Sequence, residues 1–184
     1  MRVITGAARG RRLKELEGYE TRPTTDRVKE GIFNIIQFDI EGRKALDLFA
    51  GTGQLGIEAL SRGAAGAVFV EQRRDAAALI RDNLKLTGLE ENARVVCGEA
   101  MAFLASARET FDLIFIDPPY AANLWKNAVG AIYQFDILSN HGIMICESPL
   151  GQEMPPVDPP YFLRRTYRYG KIKVTTYCRE EGGR

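Results

Sequence analysis

From residue 44 onward, short apolar runs alternate with longer stretches whose apolar residues recur at helical spacing. The runs are 45–49, 67–70, 94–97, 111–116 and 142–146, and the helical candidates are 54–62, 73–87, 100–106 and 123–136. The runs contain little polar alternation, as expected of strands covered on both faces, and parallel strands joined by crossover helices are covered in that way. The pattern predicts a doubly wound α/β sheet, mostly parallel. The tail differs. Residues 161–169 and 171–177 are β-rich segments around Gly170, which predicts a C-terminal antiparallel hairpin, entered through a loop carrying Pro155, Pro156, Pro159 and Pro160.

Upstream of the alternating region, residues 3–13 form two short extended stretches around glycines, a small β-hairpin or arm with little apolar surface to bury. Thr24-Thr25-Asp26 supplies helix-start residues, and Val28, Ile32, Ile35 and Ile36 recur at helical spacing, so a helix of about three turns follows. Phe33 and Phe38 are expected to seat it. The chain divides into an N-terminal hairpin and helix, 1–43, and a main α/β domain, 44–184. It has no internal repeat or low-complexity segment.

Composition changes this picture only when charge is placed along the chain. The 184 residues are 45% hydrophobic and 27% charged, which excludes disordered and collagen-like chains. The net charge of +1 argues against a nucleic-acid partner until it is divided. Residues 1–14 carry five basic groups and no acid, residues 15–163 carry 13 basic and 22 acidic groups, and residues 164–184 carry seven basic and two acidic groups. Two basic ends flank an acidic middle. The three cysteines, Cys97, Cys146 and Cys178, lack paired spacing and read as buried thiols in a reducing cytoplasm. With no apolar run of eighteen residues and a charged start, a cytosolic chain with no membrane partner is expected.

The first strand of the α/β region runs into Asp47-Leu48-Phe49-Ala50-Gly51-Thr52-Gly53-Gln54-Leu55-Gly56, in which 51–56 match G-x-G-x-x-G. Such a loop permits a tight strand-to-helix turn and close approach of a ligand, without identifying the ligand. The second strand ends at Glu71, followed by Gln72. An acid there can accept from ribose hydroxyls, which NAD and S-adenosylmethionine both have. Asp47 separates the two, because a carboxylate beside the loop can receive a cationic amino group and is an unhelpful neighbour for pyrophosphate. S-adenosylmethionine is favoured. After the third strand, Glu99 could accept from an adenine amine and the Ala100 amide could donate to a ring nitrogen; Glu99 as a helix N-terminal acid is the competing reading.

The fourth strand runs into Asp117-Pro118-Pro119-Tyr120, the most specific feature of the chain. Each proline keeps its carbonyl and lacks an N–H, so acceptors dominate a rigid loop. The Asp117 carboxylate and Pro118 carbonyl can accept both N–H groups of a planar exocyclic amine and aim its lone pair at a methyl sulfonium, while Tyr120 stacks on the base. Acceptors placed there stabilise positive charge that develops only in the transition state. Trp125 reads as packing rather than pocket lining, and the 147–149 segment as a turn shaping the rim. His141, the only histidine, has no companion for a metal site, and no metal is expected.

These segments resemble the Rossmann-like S-adenosylmethionine-dependent methyltransferases, and specifically the bacterial 16S ribosomal RNA guanine-N2 methyltransferase (RsmD) family. The resemblance rests on Gly6-Ala7-Ala8-Arg9-Gly10-Arg11-Arg12-Leu13, on Arg22-Pro23-Thr24-Thr25-Asp26-Arg27-Val28-Lys29-Glu30, on the 47–53 loop, on Asp117-Pro118-Pro119-Tyr120 and on Tyr167-Arg168-Tyr169-Gly170. It implies a seven-stranded sheet, S-adenosylmethionine as donor with S-adenosylhomocysteine as product, and one guanine of small-subunit rRNA as target. It also implies that Thr24 and Arg27 border the methionine end of the cofactor. Glu99 departs from the Asp or Asn more usual in related enzymes.

A folded rRNA, or a partly or fully assembled small ribosomal subunit, would present phosphates to the basic ends. The candidates are Arg2, Arg9, Arg11 and Arg12 at one end, and Arg164, Arg165, Arg168, Lys171 and Lys173 at the other. A monomer is expected. Three alternatives stay in view: methylation of another nucleic-acid amine such as adenine N6, an NAD-dependent oxidoreductase, and a non-catalytic rRNA-binding assembly factor.

Overall fold

A computed structural model of the chain describes residues 1–16, 26–119 and 124–180. Helix α1 spans Asp26–Ile35 and is followed by β1 (Lys44–Asp47), α2 (Gln54–Ser61), β2 (Gly66–Glu71), α3 (Arg74–Thr87) and β3 (Ala93–Cys97). Then come α4 (Ala100–Ser106), β4 (Phe111–Ile116), α5 (Leu124–Gln134) and β5 (Leu138–Pro149), and the chain closes with β6 (Tyr161–Tyr169) and β7 (Ile172–Arg179). The seven strands form one sheet in the order β3-β2-β1-β4-β5-β7-β6. The first five are parallel, and β7 and β6 join antiparallel at one edge. The doubly wound sheet and its antiparallel tail match the expectation from hydrophobic patterning.

The strand order reverses between β1 and β4, and ligands of such sheets bind outside the carboxyl ends of the strands at that point. In register, Asp47 at the end of β1 lies opposite Phe69 of β2 and Phe115 of β4. One face of the sheet is covered by α1, α2 and α3 through residues such as Ile32, Phe33, Ile57 and Ile80, and the other by α4 and α5 through Leu104, Trp125, Val129 and Ile132. No helix among the described residues is long and apolar enough to cross a membrane.

The N-terminal arm is more deeply seated than its sequence suggests. It folds back through an antiparallel bridge between Arg2 and Arg12, with the Val3 amide donating to the Arg11 carbonyl at 2.9 Å. Val3, Ala8 and Leu13 are buried in the same core as α1 and the sheet. Gly6 allows this approach, since with φ 87° it brings its backbone against Ser61 where a Cβ would lie 1.7 Å from the Ser61 carbonyl oxygen.

Several local expectations are corrected. Phe33 is buried beneath α1, but Phe38 is 92% exposed and seats nothing. The 147–149 segment is strand, because Glu147, Ser148 and Pro149 pair with Val174, Lys173 and Ile172. The polar Ser139, Asn140 and His141 obscure the length of β5, within which His141 adopts φ 59°. Of the cysteines only Cys146 is buried; Cys97 is exposed and Cys178 lies between. Trp125 is a packing residue, buried with its Nε1 donating to the Glu147 carbonyl at 2.8 Å.

Candidate active site

The three glycines after β1 have separable roles. Gly51 and Gly53 adopt φ 54° and 79°, left-handed values that turn the chain from strand into α2. A Cβ on Gly51 would meet nothing within 4 Å, so the loop has open space on that side. Gly56 serves close packing, because a Cβ there would come within 2.3 Å of the Phe69 ring on β2. The Ala50 amide donates to the Val70 carbonyl at 3.0 Å and the Gly53 amide to the Ala50 carbonyl at 2.6 Å, so the turn is an extension of the sheet.

Two carboxylates hold this loop from below. Asp47, nearly fully buried, accepts from the Gly56 amide at 3.0 Å. Burial pushes its carboxyl up to about 7; the Gly56 hydrogen bond works against the rise, and the neighbouring Asp117 and Glu71 charges add to it. Glu71, at the end of β2, accepts from the Gly51 amide at 2.9 Å through one oxygen and from the Arg73 amide at 2.8 Å through the other. Each oxygen keeps acceptor capacity beyond these bonds. Three acids from three adjacent strands therefore gather at the switch point, a set of acceptors suited to a cation with hydroxyl groups.

Asp117 is half-buried at the end of β4, next to buried Pro118 and exposed Pro119. Asp117 stands two residues after Phe115, which lies opposite Asp47 and whose carbonyl accepts from the Leu48 amide at 3.1 Å, so the proline loop leaves the sheet beside the glycine loop. Phe49, Ala50, Thr52 and Gly53 lie in the glycine turn itself. Gln72 is exposed beyond Glu71, with its carbonyl facing the Cys97 thiol. Glu99 is exposed at the N-cap of α4 without a capping hydrogen bond from its side chain, and Ala100 is buried behind it. Arg27 sits exposed in the first turn of α1. Thr24 and Tyr120 lie outside the described residues. Among the described residues no cluster of three His, Cys, Asp or Glu side chains could hold a metal ion.

The two basic ends, distant in sequence, lie on either flank of α1. On one side Lys29, fully buried, donates to the Arg2 carbonyl at 2.5 Å, and Arg2 approaches Asp26 at 3.6 Å. On the other side the ring of Tyr169 rests on Gly31. Arg9, Arg11, Arg12, Arg164, Arg165, Arg168 and Lys171 are exposed. Lys173 differs, because its ammonium donates to the Gln152 carbonyl and is turned onto the protein.

Residues without any motif hold the arm to the site. Glu58 of α2, fully buried, accepts from the Ile4 amide at 2.8 Å, the Thr5 amide at 3.0 Å and Arg62 Nε at 2.8 Å, with Lys29 at 3.8 Å. Asn83 of α3, also fully buried, joins Lys14 of the arm to Thr52 of the glycine loop. A polar residue on the otherwise apolar face of α3 is a weak sequence signal for Asn83, and none marks Glu58, which shares the polar side of α2 with Gln54 and Ser61.

The family model described as Conserved hypothetical protein 95 matches residues 1–178. The Bacillus subtilis protein YlbH, named provisionally as an rRNA methyltransferase, is 41% identical over 180 residues, covering 96% of this chain and 98% of that protein. Ribosomal RNA small subunit methyltransferase D of Escherichia coli strain K12 is 37% identical over 183 residues, covering 100% of this chain and 92% of that protein. Among solved structures, the Escherichia coli protein yhhF, described provisionally as a methyltransferase, superimposes with a TM-score of 0.89 at 35% identity, covering 98% of each chain. The fold is the Rossmann-like methyltransferase fold. With the match running through the N-terminal arm, the glycine loop, the proline loop and the C-terminal hairpin, the chain belongs to the Conserved hypothetical protein 95 family, that of ribosomal RNA small subunit methyltransferase D.

Proposed function

We propose that the protein transfers a methyl group from S-adenosylmethionine to the exocyclic N2 amine of a guanine in 16S rRNA of the small ribosomal subunit. The observation that carries this reading is the adjacency of two loops at the switch point: a glycine turn backed by buried Asp47 and by Glu71, and the Asp117-Pro118-Pro119 loop one strand away. S-adenosylmethionine, when bound, supplies an electrophilic methyl carbon on a sulfonium. Asp47 receives its amino group, Glu71 accepts from the ribose hydroxyls, the open side of Gly51 admits it, and Glu99 and the Ala100 amide face the adenine. Thr24 and Arg27 border its methionine end.

Asp117 and the Pro118 carbonyl accept the two N–H groups of the target amine, which fixes the nitrogen lone pair toward the methyl group, with Tyr120 stacked on the base. The new C–N bond forms as the C–S bond breaks, and the amine proton leaves to Asp117 or water. Positive charge develops on the attacking nitrogen, so these acceptors stabilise the transition state more than the ground state. The target base must be presented unstacked. The exposed arginines beside α1 hold phosphates and position the RNA without reading its sequence. The protein works as a cytoplasmic monomer in this reading, on naked rRNA or on a subunit.

The test is incubation with labelled S-adenosylmethionine and undermodified small subunits, followed by nucleoside analysis of the rRNA. Label in N2-methylguanosine, lost in Asp117→Ala with RNA binding retained, is the expected result. Label in N6-methyladenosine would replace the guanine assignment, and no label together with an intact cellular role for Asp117→Ala would make the protein an assembly factor.

A further inference from the structure

A groove of about 510 Å³ runs between α1 and the edge strand β6, lined by Arg27, Glu30, Gly31 and Asn34 of the helix and by Tyr167 and Tyr169 of the strand. The strand pairing is irregular between Leu163 and Arg165, and beyond that point Arg165, Tyr167 and Tyr169 alternate onto one face. The Arg165 guanidinium lies 5.5 Å from the centre of the Tyr167 ring. Gly31 gives the second aromatic its seat, since any Cβ there would come within 2.4 Å of the Tyr169 ring. Tyr161 and Tyr177 are buried in the core, whereas Tyr167 and Tyr169 keep part of their surface in the groove.

The groove opens at the catalytic end of the sheet. Ile116, the last residue before Asp117, pairs with Cys146; Pro149, further along β5, pairs with Ile172, which pairs with Tyr169. Tyr169 therefore stands at the level of the proline loop, and the groove leads away from it along the sheet edge. Aromatic platforms beside cationic side chains are the usual means of holding single-stranded nucleic acid, with each stacked base contributing sequence-tolerant affinity.

We propose that this groove binds a second nucleotide of the substrate RNA, next to the methylated one in the unstacked segment, its base on Tyr167 and Tyr169 and its phosphate toward Arg165. The proposal rests on the RNA methyltransferase reading and extends it to how the RNA strand leaves the site. Glu30 repels phosphate, which keeps the backbone on the arginine side. Asn34, able to donate and accept, faces the base edge and gives the groove a means of preferring one base. Exposed Lys171, in the turn that follows Tyr169, adds a further cation at this end of the groove.

The experiment uses the full chain, undermodified small subunits and the naked rRNA from them, with Tyr167 and Tyr169 changed singly to Leu and to Phe. The Leu variants should raise KM for both RNA substrates about tenfold, the size expected for one lost base stack, while affinity for S-adenosylmethionine stays within twofold. The Phe variants, which keep the ring, should restore KM. A photoactivatable 4-thiouridine in the rRNA beside the target should crosslink to the hairpin. Unchanged KM in both folded Leu variants, with wild-type methylation intact, would overturn the groove and leave the enzyme assignment standing. A rise in KM for assembled subunits alone would make the groove a protein contact. Absence of methylation by the wild-type protein would instead remove the reading on which the groove depends.

Discussion

The Asn83 side chain ties the basic arm to the glycine loop: its Oδ1 accepts from the Lys14 amide at 2.7 Å, and its Nδ2 donates to the Lys14 carbonyl at 3.2 Å and to the Thr52 carbonyl at 3.0 Å. All of the Asn83 side-chain capacity seen here is spent on backbone groups of two segments distant in sequence. Asn83→Asp keeps the acceptor but turns the donor into a carboxylate oxygen facing two carbonyls, whereas Asn83→Ala only removes the partner. Loss of a buried hydrogen-bond partner costs about 1–3 kcal/mol, so Asn83→Ala should fall in that range and Asn83→Asp should cost more. Urea unfolding measures this order, and calorimetry should find weaker S-adenosylmethionine binding in both. An Asn83→Asp protein as stable as wild type would contradict the assignment.

On the proposed reading, Asp47 makes cofactor binding depend on pH in a definite direction. Its carboxyl is raised to about 7 from an ordinary 3.8, chiefly by burial. The protonated form is therefore the one the fold favours, and the stability that Asp47 contributes in that form is present below 3.8 and lost as pH rises through about 7. A cationic amino group favours the opposite, ionised form. Between pH 6 and 8, S-adenosylmethionine affinity should rise with pH and binding should release a proton, readable by calorimetry in buffers of different ionisation enthalpy. Asp47→Asn should bind more weakly and lose this dependence; an identical pH profile in the variant would remove Asp47 from the cofactor site.

Strand and helix placement was legible because parallel strands advertise themselves as unbroken apolar runs: Phe111–Ile116 was readable to the residue, and α4 likewise. Errors fell where a local rule met a tertiary override. Pro149 looks like a breaker, yet β5 continues through it because β7 pairs with residues 143–149, and the polar stretch 139–142 falls where the register between β4 and β5 shifts. In the candidate site, Asp47, Glu71 and Asp117 stand out in the sequence because each lies where a strand passes into a loop. Glu58, Lys29 and Asn83 do not, because their partners are backbone groups and charges brought near only by the fold.

The buried pair behind the arm has unequal members. Glu58 satisfies the amides of Ile4 and Thr5 as well as two cations, so Glu58→Ala leaves Lys29 buried without its counter-charge and two amides unpaired. Breaking a buried pair in this way costs about 3–5 kcal/mol. Lys29→Met should cost less, because Glu58 keeps Arg62 and both amides. Chemical denaturation should rank the two, and limited proteolysis should cut within residues 1–16 much faster in Glu58→Ala. Equal losses would mean that the carboxylate does not anchor the arm.

Gly56 tests the packing beneath the cofactor turn. Alanine is favoured over glycine in a helix by about 1 kcal/mol, which alone predicts stabilisation. The new Cβ would meet the Phe69 ring at 2.3 Å, and that ring is fully buried against the sheet, so it has nowhere to swing. Overpacking of this kind costs about 1–3 kcal/mol and outweighs the helix gain. Gly56→Ala should be destabilised and bind S-adenosylmethionine more weakly, since the shifted amide is the one held by Asp47. A gain in thermal stability would show that Phe69 yields and that the glycine is dispensable.

The arm's charges should reveal themselves in salt dependence rather than in catalysis. Arg9, Arg11 and Arg12 are exposed on a segment fixed to the core by Glu58 and Asn83, so on the proposed reading they meet RNA as a pre-organised cluster with little loss of backbone entropy. Each phosphate contact adds about 0.7 to 0.9 to the slope of log affinity against log salt. Replacing all three by Ala should weaken RNA binding and flatten that slope by roughly two to three. Affinity for S-adenosylmethionine should be unchanged, because none of the three side chains bonds to the glycine loop. Filter binding across a salt series distinguishes the outcomes: a slope equal to that of wild type would return the cluster to an ordinary solvated surface.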